Sequence, residues 1–460
     1  MNTTEVDKKL DFSSLDWSPH SFSDPGGRVF WLQGRLFRAL RGQSAKAFQI
    51  LEKKGLIDRI EAWGLVKTWK ADLQMPGYDV VVEHEVLPAG PVVSEWSPSM
   101  LFDAASLFCD LSAVLAEHEL QLQDSHGWNI MFSNTRPVYV DFSSIIPLGA
   151  NEPWKPLEEW INCFLHPLEM IVRDQGDYAF YLLGTKNWVS VDMATGYLFY
   201  KQFLIMRKLK RLKYRRWEKI RQGGGSASVL KLLGIMKREM SKYQLRNLAT
   251  RWSDYASGYP ETSEANIEKW NDKQRSVQKI LLTLKRGRIL DLGCNTGWYS
   301  LLAERMGFNV VSMDMDRQCI NNLYKKAKQN DLRITPVVAS PFWPITPHGP
   351  RFYDSLQKRF QADHTLMLAL VHHLYFMQGY DVKSIVAIAA SLTKETLILE
   401  YVPPTDYWVQ QWHVPHRVDE YELDVWLAEV GKMFRRVEVL PSECSHPSSP
   451  VRRSLIVAER

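Results

Sequence analysis

Two groups of residues in this 460-residue chain have types and spacings that could do chemistry. In the first, Asp291, Gly293, Asn295 and Gly297 alternate along RILDLGCNTGW, and Asp314 ends the apolar run NVVSMD 23 residues after Asp291. Glycines let a backbone turn sharply and approach a nucleoside without a Cβ in the way. A carboxylate about 20 residues further on stands where ribose hydroxyls are held in this kind of architecture. An acid before the first glycine repels pyrophosphate and suits an ammonium group, and Asn295 stands where a middle glycine is usual but tolerates left-handed backbone angles. Downstream, His372 and His373 follow the apolar run LMLALV. Imidazole is the side chain best poised to take a proton near neutral pH. The second group is Asp124, His126, Asn129 and Asp141. One acid can orient an attacking hydroxyl while an Asn and a second acid, here Asn129 and Asp141, hold Mg²⁺ for phosphoryl transfer. Such a site also needs a phosphate-binding cation. No lysine stands where one is expected, and Arg38, in the middle of an apolar strand, is the available substitute.

The elements around the first group read as alternating strands and helices. Arg288–Leu292 is a short strand, 293–297 a tight turn, and Trp298–Met306 the opening of a helix; NVVSMDMD, ITPVVASPF, DHTLMLALVHHL and ETLILEYVPPTD supply further strands. RRVEVLP and RSLIVAER close the chain as a hairpin. In open sheets of this kind a ligand sits beyond the carboxyl ends of the strands, which brings Asp291, Asp314, His372, His373 and Glu400 around one crevice. The usual acid after the third strand is missing, so Ser340 or its neighbouring backbone has to serve in its place. Around the second group, GRVFWLQGRLFRAL (27–40) predicts a hairpin without a glycine-rich cover loop, YDVVVEHEVLP (78–88) a strand and hinge, and 99–118 a helix leading into the Asp124 loop.

These motifs resemble two families. D-L-G-C-N-T-G resembles motif I of class I methyltransferases that use S-adenosylmethionine (SAM), and CNTGWYS, LALVHHL and LILEYVPPTD look like a nodulation-type methyltransferase-like subgroup. The resemblance implies an α/β Rossmann-like seven-stranded domain with SAM as cofactor, held by Asp291, Gly293, Asn295, Gly297, Asp314 and Ser340, and His372 or His373 as base. The D-x-H-x-x-N stretch with Asp141-Phe142 resembles aminoglycoside phosphotransferases and lipopolysaccharide kinases. It implies an α+β kinase-like two-lobed domain, with ATP and Mg²⁺ at Asp124, Asn129, Asp141 and Arg38 if active, and a pseudokinase if not. The expected division is residues 1–222 kinase-like, 223–250 linker and helix, and 251–460 methyltransferase, with GGGSAS (223–228) the clearest linker signal.

Composition narrows the class. With 45% hydrophobic and 12% aromatic residues the chain can build packed cores, and no window holds eighteen uninterrupted apolar residues. Five scattered cysteines predict buried thiols in a reducing compartment, hence a cytoplasmic bacterial-type enzyme. The net charge is +5, yet 201–221 alone holds ten Lys/Arg against one Glu. Ile205, Met206, Leu209, Leu212, Trp217 and Ile220 share one arc of that helix. It either closes a domain as a solvated helix or touches a partner or the inner membrane face. The absence of D/N-P-P-[YFW] and the position of the basic residues outside the SAM domain disfavour a nucleic-acid acceptor and leave a small molecule or glycan.

Overall fold

The computed structural model describes residues 15–21, 24–186, 188–198, 200–243, 245, 250, 252–253, 258–342, 354–412, 420–444 and 451–460. The expected boundary at 250/251 falls partly outside these residues.

The second half is built on one seven-stranded sheet. Its strands are β10 (Arg288–Leu292), β11 (Asn309–Asp314), β12 (Ile334–Val338), β13 (Ala362–Met367), β14 (Thr393–Tyr401), β15 (Arg436–Cys444) and β16 (Arg452–Glu459), in the order β12-β11-β10-β13-β14-β16-β15. The first five are parallel, and β16 runs antiparallel to both neighbours. The parallel strands are covered on both faces, so they read as near-continuous apolar runs such as ITPVV, wholly buried. Strand order reverses between β10 and β13. There the crossovers leave in opposite directions and open a crevice at the carboxyl ends.

The first half contains a five-stranded antiparallel sheet in the order β1-β2-β3-β5-β4, from β1 (Asp16–Trp17), β2 (Gly27–Leu32), β3 (Arg35–Leu40), β4 (Thr68–Lys70) and β5 (Val80–His84). Two small antiparallel pairs follow: β6 (Leu120–Leu122) with β9 (Ile145–Pro147), and β7 (Ile130–Ser133) with β8 (Arg136–Tyr139). The helix Pro98–Glu117 starts on a Ser97 cap with proline in its first turn. It is long and apolar enough to cross a membrane, and its place in the core of this half accounts for that composition.

The expected linker at 223–228 is a different object. Gly224 and Gly225 both have φ near +66°, and an added Cβ would stand 2.5 Å from the backbone of Asn151 or Ala150. The glycines permit a left-handed turn in close contact rather than a flexible tether. The helix they open, Gly225–Met240, buries Val229, Leu232, Leu233, Met236 and Met240 in the core of the first half.

The two halves are locked together by buried polar contacts. Arg359 makes a two-pronged ion pair with Glu95 at 2.6 and 2.8 Å. The Ser99 N–H donates to Asn321 Oδ1 at 2.9 Å, the Tyr324 hydroxyl donates to the Thr135 carbonyl at 3.1 Å, and Arg317 reaches the Trp96 carbonyl. Arg317, Asn321 and Tyr324 all lie on the helix Arg317–Gln329 that follows β11. The first half therefore braces the element directly behind Asp314.

Candidate functional site

The turn after β10 takes its shape from three residues with positive φ: Gly293 (+70°), Asn295 (+53°) and Gly297 (+82°). Asn295 occupies the left-handed region, as its tolerance for that conformation leads one to expect. At Gly297 an added Cβ would stand 2.6 Å from Leu323. The turn is bound to β11 through the Gly293 N–H, which donates to the Met313 carbonyl at 2.8 Å. It is clamped by Asp314, whose carboxylate accepts from the Asn295 N–H and the Asp316 N–H, each at 2.8 Å. Asn295 Nδ2 donates to the Trp252 carbonyl at 2.8 Å.

Gly293, Asn295, Asp314 and Ser340 line one cavity of about 810 Å³, and His372 and His373 line it with them. Asp291 and Gly297 are not in this lining, which corrects the expectation that Asp291 faces the ligand. Asp291 is buried behind the turn, accepts from Ser300 Oγ at 2.6 Å, and Ser300 Oγ accepts in turn from Ser312 Oγ. Burial pushes its carboxyl up to about 6 despite the Ser300 hydrogen bond. The side chain is held towards the helix Trp298–Arg305 by Ser300, whose hydroxyl is in turn fixed by Ser312 on β11. Glu400 is likewise not a wall residue. It is fully buried, paired with Lys273 at 2.6 Å, and accepts from Ser442 Oγ and from the N–H of Ala369. Burial alone would raise its carboxyl, but Lys273 and Arg453 outweigh that and hold it below the usual range. Ala369 lines the cavity with φ +49°, so Glu400 braces a left-handed wall residue from behind.

His372 is 4% exposed, and its Nδ1 has no hydrogen-bond partner. Its ring lies 5.4 Å from that of Trp412 with the planes 3° apart, while His373 meets Trp252 edge-on at 5.3 Å. Burial, then the neighbouring charges of His373, Arg453 and Lys273, hold the His372 imidazole neutral well below the ordinary histidine range. Trp252, Trp408, Trp412 and Arg453 also line the cavity and were not anticipated from sequence. Trp408 and Trp412 could have been found: W-x-x-x-W just after the end of β14 puts both rings on one side of a helical turn. Arg453, paired with Asp406 at 2.9 Å and Glu443 at 3.3 Å, carried no local signal.

The second group also converges. Arg38 on β3 pairs with Asp141 at 2.5 Å and with Asp24 at 3.3 Å, and it contacts Ser143 Oγ. Asn129 Nδ2 donates to the Tyr139 hydroxyl at 3.2 Å, which donates to the Asp124 carbonyl at 3.0 Å. Burial, then Glu159, raises the Asp124 carboxyl. Arg38 is thus not a free phosphate clamp but a partner of the acids, and it already neutralises charge that a divalent ion at Asp141 would otherwise meet. Among the described residues no group of three His, Cys, Asp or Glu side chains has metal-holding geometry. Asp24, the acid sequence reasoning missed, arrives from a separate segment. Cys109, Cys163, Cys294 and Cys319 are free and buried, and the side chain of Cys444 lies outside the described residues.

Comparison with known proteins places these features among relatives. A protein-family model described as "Tellurite resistance protein TehB" matches residues 266–340, the stretch that includes the glycine turn and Asp314. The chain is 25% identical over 419 residues to the nodulation protein NoeA of Rhizobium meliloti (strain 1021), covering 85% of this chain and 86% of that protein. Among solved structures, the bifunctional kinase-methyltransferase WbdD matches at 19% identity and a TM-score of 0.31, over 44% of each chain. The magnesium protoporphyrin IX methyltransferase ChlM of Synechocystis PCC 6803, solved with bound SAH, matches at 14% identity and a TM-score of 0.32, over 45% of this chain and 92% of that one. The match thus spans less than half of WbdD's length.

Proposed function

We propose that this chain, a SAM-dependent methyltransferase with SAM as its cofactor, methylates a hydroxyl of a small-molecule or glycan-type acceptor. The observation that carries this reading is His372: a buried, neutral imidazole on the cavity wall with its Nδ1 unpartnered. When bound, SAM supplies a methyl group on a sulfonium, open to in-line displacement. The residues that fit its nucleoside are Asp314 for the ribose hydroxyls, the backbone of Gly293 and Asn295 for close approach, and Ser340 beside the adenine. The cavity volume and the clamped left-handed turn support that assignment. His372 would then hold the proton leaving the acceptor hydroxyl, and Trp408 and Trp412 would orient the acceptor and exclude water. Asp291 and Glu400 act through the turn and through Ala369, as positioning residues.

The first half is read as a kinase-like domain over about 1–222 that recognises the acceptor or a partner. The sheet β1–β5, the helix Gly42–Lys53 directly after β3, and the meeting of Asp124, Asn129 and Asp141 support that fold. Arg38 on Asp141 favours a pseudokinase over a second phosphotransferase site.

The test is methyl transfer from labelled SAM to a panel of glycan and small-molecule hydroxyls, with wild type and His372→Gln. The expected loss in kcat is about 10²- to 10⁴-fold, with SAM affinity held within about threefold. A buried imidazole kept neutral stays competent as a base below pH 6.5, so the acid limb of the wild-type kcat profile should lie below that value and vanish in the variant. Unchanged kcat in His372→Gln would sink the assignment.

A further inference from the structure

The basic helix Phe203–Arg221 does not present the face that its sequence suggests. Trp217 is buried, Ile220 and Met206 are half-buried, and Lys210 is drawn inside to pair with Glu169. Lys213 faces the helix Gly225–Met240 and pairs with Glu239 at 2.9 Å, and Tyr214 meets His166 Nε2 at 2.8 Å. The opposite face carries Leu204, Ile205, Leu209 and Leu212, which are 74, 65, 54 and 44% exposed. Lys208, Arg211, Arg215, Arg216 and Lys219 are exposed among and beyond them. At 100° per residue these nine side chains fall within one half of the helix circumference. The helix's one acid, Glu218, borders this face, about 20° beyond Arg211, and is paired with Arg221. From outside the helix, Asp192 pairs with Arg207 and with Arg211.

Four aliphatic side chains left in water beside five cations call for a partner that takes both. A nucleic-acid backbone would neutralise the cations and leave the leucines in water. A bilayer bearing anionic headgroups takes the cations at the phosphate level and the aliphatic groups at the acyl boundary. The aliphatics occupy the first turns, and Arg215 and Arg216, which have no ion pair among the described residues, occupy the last with Lys219. The helix, about 28 Å long, has therefore a wedge and an electrostatic grip in sequence. We propose that this face seats the protein on an anionic lipid surface as a peripheral contact. The inference stands apart from the methyltransferase reading, because none of these residues lines the SAM cavity.

The test is flotation of the full chain with vesicles of phosphatidylcholine alone and of phosphatidylcholine with phosphatidylglycerol. Wild type should float with the anionic vesicles and not with the neutral ones, and salt should release it. Each exposed cation near such a surface contributes about fivefold, so Arg215→Glu with Arg216→Glu should weaken binding by more than about 25-fold. Leu209→Ser with Leu212→Ser should weaken it by at least about tenfold, with SAM affinity and melting temperature unchanged in both variants. Equal flotation with neutral vesicles, salt-insensitive flotation, or variants that float like wild type would each overturn the proposal. So would capture by heparin without any vesicle binding.

Discussion

Asp314→Asn is the most discriminating substitution at the cofactor turn. The carboxylate accepts two backbone N–H bonds at 2.8 Å, from Asn295 and from Asp316, and stands on the wall of the cavity. An Asn keeps one acceptor and turns an NH₂ towards the other N–H, so one buried donor loses its partner and meets a second donor. Losing a charge-assisted bond costs about 1.5–3 kcal/mol. Burial already raises the Asp314 carboxyl, so removing the charge returns part of that in folding stability, and the net loss on melting should be about 1–2 kcal/mol. Binding suffers more. The opened turn and the loss of the ribose contact proposed for Asp314 should together cost about 3–6 kcal/mol, or about 10²- to 10⁴-fold in the Kd for SAM. Isothermal titration with SAM and S-adenosylhomocysteine measures this directly, with chemical denaturation of the free protein as the stability control. A Kd within threefold of wild type would refute the reasoning and reduce Asp314 to a clamp on the turn.

Asp291→Asn should behave oppositely: SAM affinity stays within about fivefold, since the side chain does not line the cavity and the amide oxygen still accepts from Ser300. The raised folded value, about 6 against 3.8, means that the acid's contribution is present below pH 4 and lost as pH rises through 6. The Asn variant should accordingly gain up to about 3 kcal/mol over wild type at pH 8 and nothing at pH 4; denaturation at the two pH values checks it. Arg359→Ala strips the buried Glu95 of its partner across the join between the halves, with an expected cost of about 3–5 kcal/mol in urea unfolding, and a loss under 1 kcal/mol contradicts it. In the first half, wild type should show no thermal shift with Mg-ATP, whereas Arg38→Met leaves Asp24 and Asp141 without their cation and should lower stability by about 1–3 kcal/mol. A wild-type Mg-ATP shift that disappears in Asp141→Asn would instead revive a working phosphotransfer site.

Local chemistry alone determined much of this protein. The left-handed positions at 293, 295 and 297 are legible because only glycine and asparagine adopt them cheaply. The apolar runs before Asp291, Asp314 and His372 are legible because strands covered on both faces need them, and the closing hairpin by its alternation. With Asp314, Ser340 and the histidines placed beyond those strand ends, most of one wall of the cavity followed from the chain order. Partners distant in sequence were another matter. Asp291 and Asp314 are equally acidic and equally at strand ends, and only the serines packed behind β10 turn one inward while the other borders the cavity. Arg38 looked like a free cation until the fold brought it Asp24 and Asp141, the latter 103 residues away. Trp252, Trp412 and Arg453 meet His372 and His373 from segments that no sequence window contains. The basic helix shows the limit most plainly. Its hydrophobic arc predicts an inner face, yet the buried Glu169 captures Lys210, Trp217 fills the core, and Leu204 to Leu212 are left outside. Periodicity records which residues share a face of a helix, and only the neighbours that the rest of the chain supplies decide which face goes in.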